Sequence, residues 1–390
     1  MDDIIVMEEG KEGVVFEVGA LVKALEQVTD ERKARGKRYP LPILLVMVLF
    51  AKLSGEHKPS AIAEWLRLRE RQLVDALGCR HRRTPSLNTI RRVLSQEGVR
   101  VELQGVLRRF LHQQYGGQQS VLVAIDGKTL RGTIPKGKSQ GVHLLAAYLP
   151  AEGVTLLQLP VTNKENEIVA APRLLSALDL KGRVVCGDAM FTQRDVSLQV
   201  LAQGGDYIWT LKENQPTLRH DVSQFFRPPL RAPGWRAPSL AETKARKVKL
   251  GHGRFESRTL RLIADEHHYL DWPGLAQVFE IERRVVVQAT GEVSTETVYG
   301  ITSLAPEQVT ARQLLDWVQD YWGIENGLHY RRDVSLQEDA TRMTSSSLAE
   351  VMAALNNFIV GLVRKLGFSN LAAAQRRFEA KLTFALARFG

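Results

Sequence analysis

The pattern of apolar and polar residues changes character near residue 120. Before that point apolar residues recur at helical spacing, which predicts a helical N-terminal domain throughout residues 1–119. Residues 40–50 are apolar on every side and open with two prolines, as is typical of a buried helix. The glutamine- and glycine-rich residues 113–119 indicate a linker. The clearest amphipathic helices are predicted over residues 18–28, 60–68, 70–77 and 87–94.

From Val121 onward, short apolar runs rich in β-branched residues predict strands. Three consecutive strands are followed by strands that alternate with helices, which indicates a mixed sheet with helices on its faces. This order is that of the ribonuclease H-like arrangement, so the predicted fold class is α/β. The predicted strands cover residues 121–126, 143–149, 154–161, 183–188 and 206–212, with helices over 164–178 and 192–203.

A second kind of β-structure is predicted between residues 216 and 304. Residues 244–262 and 278–303 alternate apolar and polar positions, as antiparallel strands do. Residues 226–238 are rich in proline and are expected to form a loop. We therefore predict a β-rich insertion over residues 216–304. It interrupts a catalytic domain made of residues 120–215 and 305–390.

The composition indicates what kind of partner the protein binds and in which compartment it is found. The net charge of +10 and the pI of about 9.6 indicate a polyanionic partner, nucleic acid first, although a generally basic soluble protein would have the same composition. Cys79 and Cys186 form no metal-binding or disulfide pattern, which favours a reducing compartment. The N-terminus lacks the basic start of a signal peptide, and the apolar run 41–53 is too short to span a bilayer. We expect a cytoplasmic protein with no membrane partner.

Two predicted strands end in an acidic residue, Asp126 and Asp188. Adjacent strand ends of an open sheet gather side chains at one edge, where ligands bind. Two neighbouring carboxylates repel each other and lose hydration, and a divalent cation such as Mg²⁺ offsets both effects. A simpler interpretation also holds for Asp126, since an aspartate before Gly127 is typical of a capped turn.

A third acid is expected from the stretch 321–333, on a helix that starts near Arg312. Glu325, His329 and Asp333 lie at positions i, i+4 and i+8 of that helix, broadly on one face. The alternative is an ordinary solvated stripe of polar residues. Three such acids could bind two metal ions, and the ions could then hold the attacking and leaving oxygens of a phosphodiester displacement.

Four segments together resemble the ISAs1-type insertion-sequence transposases, which include the H-repeat-associated proteins and are related to the IS4 group. The resemblance extends over nearly the whole chain, from about residue 20 to 370. The segments are Ile125-Asp-Gly-Lys-Thr-Leu-Arg-Gly132, Gly187-Asp-Ala-Met190, Leu211-Lys-Glu-Asn-Gln215 and Tyr321-Trp-Gly-Ile-Glu-Asn-Gly-Leu-His329.

The resemblance implies a DDE triad of Asp126, Asp188 and Glu325 on a ribonuclease H-like fold. It also implies cleavage at transposon ends with Mg²⁺ or Mn²⁺, two ions at a time, and joining of a 3′-hydroxyl to target DNA. The partner is then double-stranded DNA, and pairing of two ends implies a homodimer at work on the bacterial nucleoid. The chain departs from relatives at Phe191, where histidine is frequent, and at Tyr321 and Arg332, where the IS4 group has arginine and lysine.

Several basic side chains are candidates for contact with DNA. Residues 87–94 follow a polar cap and resemble the second helix of a helix-turn-helix, although a solvated basic helix has the same pattern. The basic run 244–258 could follow a DNA backbone or form a solvated hairpin face. His329 could orient Glu325, contact substrate or be structural. The candidates are Arg91, Arg92, Arg131, Lys212, Lys247, Lys249, Arg254, His329 and Arg332.

Two other functions fit the same residues. A domesticated relative could cut DNA with the three acids without joining strands, and a silent descendant could bind DNA through its basic surfaces alone. A third alternative, an RNA-cleaving ribonuclease H, fits the helical N-terminal domain and the insertion less well.

Overall fold

The computed structural model describes residues 4–8, 11–16, 18–115, 120–162, 166–227, 241–251, 253–343 and 345–386. The chain forms two compact units. The first unit contains Met1–Gln119, Gly127–Asn163 and Glu325–Gly390, and the second contains Ser120–Asp126 and Lys164–Ile324. The sequence-based division into N-terminal domain, catalytic domain and insertion stays a prediction. Parts of the predicted linker, of the helix over 164–178 and of the proline-rich loop lie outside the described residues.

The strands and helices follow the predicted order along most of the chain. The strands are β1 (Ile4–Glu8), β2 (Lys11–Phe16), β3 (Leu122–Thr129), β4 (His143–Leu149), β5 (Val154–Val161), β6 (Val184–Gly187), β7 (Asp206–Leu211), β8 (Glu242–Gly251), β9 (Arg254–Ala264), β10 (Gln277–Val287) and β11 (Val293–Thr302). The helices are α1 (Val18–Leu25), α2 (Leu41–Leu53), α3 (Pro59–Leu68), α4 (Glu70–Ala76), α5 (Leu87–Leu94), α6 (Glu97–Tyr115), α7 (Glu167–Ser176), α8 (Arg194–Ala202), α9 (Pro216–Phe225), α10 (Ala311–Tyr321), α11 (Ser346–Lys365) and α12 (Leu371–Leu386).

The prediction of helices throughout residues 1–119 is wrong at the start of the chain. Strands β1 and β2 pair as an antiparallel hairpin, with Ile4 opposite Phe16 and Val6 opposite Val14. Both segments are rich in β-branched residues, which favour extended backbone. From α1 onward the helical prediction is confirmed. Helix α2 is buried along almost its whole length, as its uniformly apolar sequence predicts.

Helix α11 is the long central helix of the first unit. It packs against α6, where the rings of Phe110 and Phe358 lie 6.1 Å apart. Among the described residues α11 is the one helix long and apolar enough to cross a membrane, but 83% of its apolar window is buried inside the protein. Its apolar surface is therefore used in packing.

The main sheet has nine strands in the order β5-β4-β3-β6-β7-β11-β10-β9-β8. In the second unit β3, β6 and β7 are parallel, and β7 is followed by the antiparallel strands β11, β10, β9 and β8. In the first unit β4 and β5 form an antiparallel hairpin. This mixed sheet with flanking helices confirms the predicted ribonuclease H-like α/β class. The strands of the predicted insertion extend the same sheet, because β11 pairs with β7.

A polar network lies inside the otherwise apolar core of the first unit. The Arg332 guanidinium, fully buried, pairs with Glu338 at 2.8 Å and donates through Nη1 to the side-chain oxygens of Gln158 and Asn357. Asn356 donates to the other Glu338 oxygen at 2.7 Å. A buried ion pair of this kind depends on having its remaining polar atoms satisfied.

We predict that Gly300→Ala lowers the melting temperature of the protein. A Cβ at Gly300 would meet the Phe279 ring and lie 2.5 Å from the Trp209 carbonyl oxygen in the neighbouring strand. Overpacking of this kind costs about 1–3 kcal/mol. Gly251→Ala in β8 is the matched control, because its Cβ would have no atom within 4 Å. Equal melting temperatures for the two variants would contradict the packing at Gly300.

We predict that Lys52→Met makes the protein more stable at pH 7. Burial lowers the pKa of Lys52 from 10.5 to about 8, against the opposing charge of Glu338. Between pH 8 and pH 10.5 the Lys52 amine is protonated in the unfolded chain and neutral in the folded one, so the free energy of unfolding rises with pH across this window. Below pH 8 the buried charge lowers the free energy of unfolding by up to about 3 kcal/mol. Denaturant midpoints of both proteins at pH 7 and pH 10 give the measurement. Their difference should shrink at pH 10, and a constant difference would contradict the assignment.

Candidate active site

The two predicted strand-end acids lie on adjacent parallel strands of the second unit. Strand β3 pairs with β6 in a register that sets Ile125 opposite Gly187. Asp126 and Asp188 are the next residues along the two strands, so both acids leave the paired region at the same level. Strand β3 continues to Thr129, so Asp126 lies within the strand and not at its last residue as predicted. The Asp126 and Asp188 side chains are both half-buried.

Gly187 leaves room for two apolar side chains just before Asp188. A Cβ at Gly187 would lie 2.7 Å from the Phe191 ring and 2.9 Å from the Ile125 side chain. Phe191 is fully buried in the 3₁₀ turn Ala189–Phe191. The Phe191 ring therefore packs against the strand end that precedes Asp188.

Asp188 has a cationic neighbour on the next strand. Lys212 follows the last residue of β7, and its Nζ donates to the Asp188 carboxylate at 2.8 Å. Both side chains are substantially exposed, so solvent screens this pair. The ammonium offsets part of the negative charge at the strand ends.

The residues after Lys212 hold the turn that follows Asp188. Asn214 donates to the Ala189 carbonyl oxygen at 2.6 Å, and Gln215 donates to that of Thr192 at 2.9 Å. The Thr192 hydroxyl in turn donates to the Thr210 carbonyl oxygen at 2.8 Å. The Leu211–Gln215 motif thus fixes the backbone beyond Asp188. The roles of Asn214 and Gln215 could not be predicted from the sequence, because they depend on contacts with the turn at residues 189–192.

The predicted third acid lies in the first unit, on irregular helix. The regular helix α10 ends at Tyr321, and two single π-helical turns follow, Glu325–His329 and Arg331–Ser335. Glu325 is exposed and His329 is buried, and ligand atoms of the two side chains lie within 4.8 Å of each other. Carboxylate and imidazole are both common metal ligands. The predicted regular face of Glu325, His329 and Asp333 is replaced by these wider turns.

The π-helical turns are held in place from several sides. Lys128 of β3 is buried, and its Nζ contacts the two carboxylate oxygens of Asp333 at 2.5 and 2.6 Å. Burial raises the pKa of Asp333, although Lys128 opposes that shift. Gly327 faces Tyr148, whose hydroxyl would lie 2.8 Å from a Cβ at that position. The backbone that carries Glu325 is therefore packed directly on β4.

His329 is held in its neutral form. Burial lowers its pKa to about 3, and the charges of Arg332 and Lys128 add to the effect. A neutral imidazole can ligate a metal or accept a proton, and His329 lies buried below the molecular surface. Arg332, predicted to contact DNA, is fully buried in its pair with Glu338. The Arg332 guanidinium therefore acts inside the first unit, where the buried Glu338 carboxylate balances its charge.

The other predicted DNA contacts are on the surface. Arg91 and Arg92 are exposed on α5, Arg131 is 80% exposed beside Asp339, and Lys249 and Arg254 are exposed in the β8–β9 hairpin. Lys247 is paired at 2.5 Å with Asp316 of α10. Ser86 caps α5 by accepting a hydrogen bond from the Thr89 backbone. Residues 77–86 separate α5 from α4, a longer connection than the three or four residues of a helix-turn-helix.

Comparisons with known proteins identify the family of the chain. Residues 117–361 match the family described as "Transposase DDE domain", and residues 22–111 match "DDE_Tnp_1-associated". The "H repeat-associated putative transposase YhhI" of Escherichia coli (strain K12) is 25% identical over 89% of this chain and 91% of its own length. The "Uncharacterized protein in dhlA 3'region" of Xanthobacter autotrophicus is 33% identical over 71% of this chain and 92% of its own.

Among solved structures, the chain is similar to the piggyBac transposase in a synaptic complex with hairpin DNA. The TM-score is 0.43 at 12% identity, over 95% of this chain and 78% of that one. The match of the DDE domain covers more than half of the 390 residues and includes Asp126, Asp188 and Glu325. The chain belongs to the family of transposases that carry a DDE domain.

Proposed function

We propose that the protein cleaves DNA at the ends of an insertion sequence and joins the freed 3′-hydroxyl to target DNA. In this proposal Asp126, Asp188 and Glu325 are the catalytic acids. The observation that carries it is the register of β3 and β6, which brings Asp126 and Asp188 to the same level on neighbouring strands. Family membership adds the expectation of a third acid, and Glu325 lies within the matched residues.

The donor set fits a divalent cation with oxygen ligands. Asp126 and Asp188 are half-buried carboxylates, and Glu325 is an exposed one with a neutral imidazole close by. Mg²⁺ binds through one or two carboxylates together with phosphate oxygens and water, and Mn²⁺ accepts the same ligands. We propose that the three acids hold two such ions. When bound, the ions would neutralise phosphate charge and lower the pKa of a nucleophilic water or hydroxyl.

The chain's own side chains would position the reacting groups. Lys212 would orient the Asp188 carboxylate and approach the phosphate on the substrate, since its exposed Nζ lies 2.8 Å from that carboxylate. The neutral His329 would support Glu325 from the buried side of the π-helical turn. In phosphoryl transfer, positioning and charge neutralisation supply most of the rate enhancement.

The exposed cations would supply affinity for the substrate. We propose Arg91, Arg92, Arg131, Lys249 and Arg254 as contacts to double-stranded DNA, because phosphate contacts make binding strong and dependent on salt. Lys247 would first have to leave Asp316. Pairing of two transposon ends calls for a homodimer at work, acting on the chromosome in the cytoplasm.

We predict that Asp188→Asn abolishes cleavage and leaves DNA binding unchanged. The amide keeps the size of the side chain but loses the charge that a divalent cation needs. The assay is cleavage of a labelled duplex carrying the element's own end, with Mg²⁺, Mn²⁺, Ca²⁺ or EDTA. Wild-type protein should cut with Mg²⁺ or Mn²⁺ only, and Asp126→Ala should behave like Asp188→Asn.

The control is Asp195→Asn, which makes the same chemical change on helix α8 of the same unit. It should cut like the wild-type protein. Cleavage by Asp188→Asn at the wild-type rate would contradict the proposed acids. Binding without cleavage by every protein would favour a silent DNA-binding descendant.

We predict strand transfer from the same site. An oligonucleotide that mimics a precleaved end, with a free 3′-hydroxyl, should become joined to a supercoiled plasmid in the presence of Mg²⁺ or Mn²⁺. The same end with a 3′-deoxy terminus should give no joined product, because the nucleophile is missing. Efficient cleavage without any joining would instead identify a domesticated nuclease.

A further inference from the structure

Three segments of the first unit carry exposed cations and no acidic residue. They are residues 33–38, residues 80–83 and helix α5 with its cap, 86–92; we refer to them together as the basic face. The nine exposed cations are Lys33, Arg35, Lys37, Arg38, Arg80, Arg82, Arg83, Arg91 and Arg92.

Tyr39 joins two of these segments that are far apart in sequence. Its hydroxyl donates to the Thr84 carbonyl oxygen at 3.1 Å, and its ring centroid lies 5.9 Å from that of His81. Tyr39 is only 8% exposed, and burial raises the pKa of its hydroxyl. The end of the segment 33–38 is thereby held against the segment 80–83.

Hydrogen bonds of neighbouring residues also hold the base of each segment. The buried Arg32 guanidinium bonds the Asp30 carboxylate at 2.7 and 2.8 Å and the Tyr39 carbonyl oxygen at 2.7 Å. The Glu70 carboxylate on α4 accepts a hydrogen bond from the Thr84 backbone at 2.8 Å. The acids of this region thus bond to residues at the base of the face, and its outer surface stays positively charged.

The nine cations differ from those cations elsewhere in the protein that are paired with acids. Arg100, Arg261 and Arg283 each pair with glutamates. Within the described part of the chain, no carboxylate lies within 4.0 Å of a cationic group of the basic face. Like charges held together without counter-charges repel one another, and a polyanion would remove that repulsion and release its own counterions.

We propose that the basic face binds the phosphate backbone of duplex DNA, with α5 directed at base edges. The proposal rests on the proposed function for its partner. Residues 33–38 and 80–83 supply phosphate contacts on both sides of the Tyr39 junction. Asn88, Arg91 and Arg92 are exposed on α5, and asparagine and arginine are the side chains that read adenine and guanine in the major groove.

The composition of the face favours duplex over single-stranded nucleic acid. Single strands are bound by exposed aromatic rings on which bases stack. The face has no exposed Phe, Tyr or Trp among its described residues, since Tyr39 is buried against His81. An α-helix with its side chains is about 10–12 Å across, so helix α5 fits the major groove, which is about 12 Å wide.

The test measures binding of the full-length protein to a fluorescein-labelled duplex of about 30 base pairs from the element's end, by anisotropy in EDTA. The variants are the charge reversals Lys37→Glu/Arg38→Glu and Arg82→Glu/Arg83→Glu. The matched control is Lys136→Glu/Lys138→Glu, two exposed lysines of the same unit outside the basic face. We expect each test variant to bind at least about tenfold more weakly, and the control within about twofold of wild type.

A salt series separates phosphate contact from a change of structure. Loss of two phosphate contacts should reduce the slope of log affinity against log salt by about 2. The neutral variant Lys37→Gln/Arg38→Gln should reduce the slope by the same amount. Tyr39→Phe removes the bond to Thr84 without changing charge, so it should weaken binding with the slope unchanged. The melting temperatures of the charge variants should stay close to that of the wild type, and Tyr39→Phe should lower it slightly, because a hydrogen bond contributes about 0.5–1.5 kcal/mol.

The proposal would be overturned if the charge-reversal variants bound the duplex as tightly as the control. It would also be overturned if these variants lost binding only to a single strand of the same length and still bound the duplex normally. The assay in EDTA does not involve the proposed metal site, and Asp188→Asn should bind normally in it. Failure of the basic face is therefore distinguishable from failure of the proposed cleavage, which is measured separately with Mg²⁺.

Discussion

The parallel pairing of β3 with β6 is the constraint on which the candidate site depends. Its register fixes Asp126 relative to Asp188, and a slip by one residue would turn the side chains of one strand to the opposite face. Gly187 makes room beside that pairing, because a side chain there would push against Phe191 and Ile125. Lys212 and the motif that follows it then set the charge and the backbone around Asp188.

The first unit supports Glu325 in a different way. There the backbone leaves regular helical geometry for two π-helical turns, which are frequent at functional sites. Such turns need support from their surroundings, and here Lys128 holds Asp333 while Arg332 enters the buried network around Glu338. The pairing of those charges offsets the free energy that their burial costs. The two pairs thereby hold the backbone segment that carries Glu325 in one conformation.

The sequence predicted the strands best where hydrophobic burial decides the structure. Strands β4 and β5 match their predicted ranges residue by residue, and α2 is buried as its apolar surface requires. The π-helical turns could not be predicted, because they depend on Lys128 and Tyr148, which are far away in sequence. By sequence Arg332 is a candidate DNA contact, whereas the structure buries it beside Glu338, a partner that only the fold reveals. The predicted sites for metal and DNA remain proposals that rest on residue chemistry and family.

The position of β8 at the edge of the sheet gives its basic side chains a second role. It is the last strand of the nine-stranded sheet, long and largely exposed, and one side of its backbone has no neighbouring strand in the described sheet. Such an edge is a template for unwanted pairing with another chain, and charged side chains are the usual protection. Lys244, Arg246 and Lys249 are all exposed along it. A variant that neutralises them to weaken DNA binding would also remove a barrier to aggregation, so lost activity in that variant would have two separate causes.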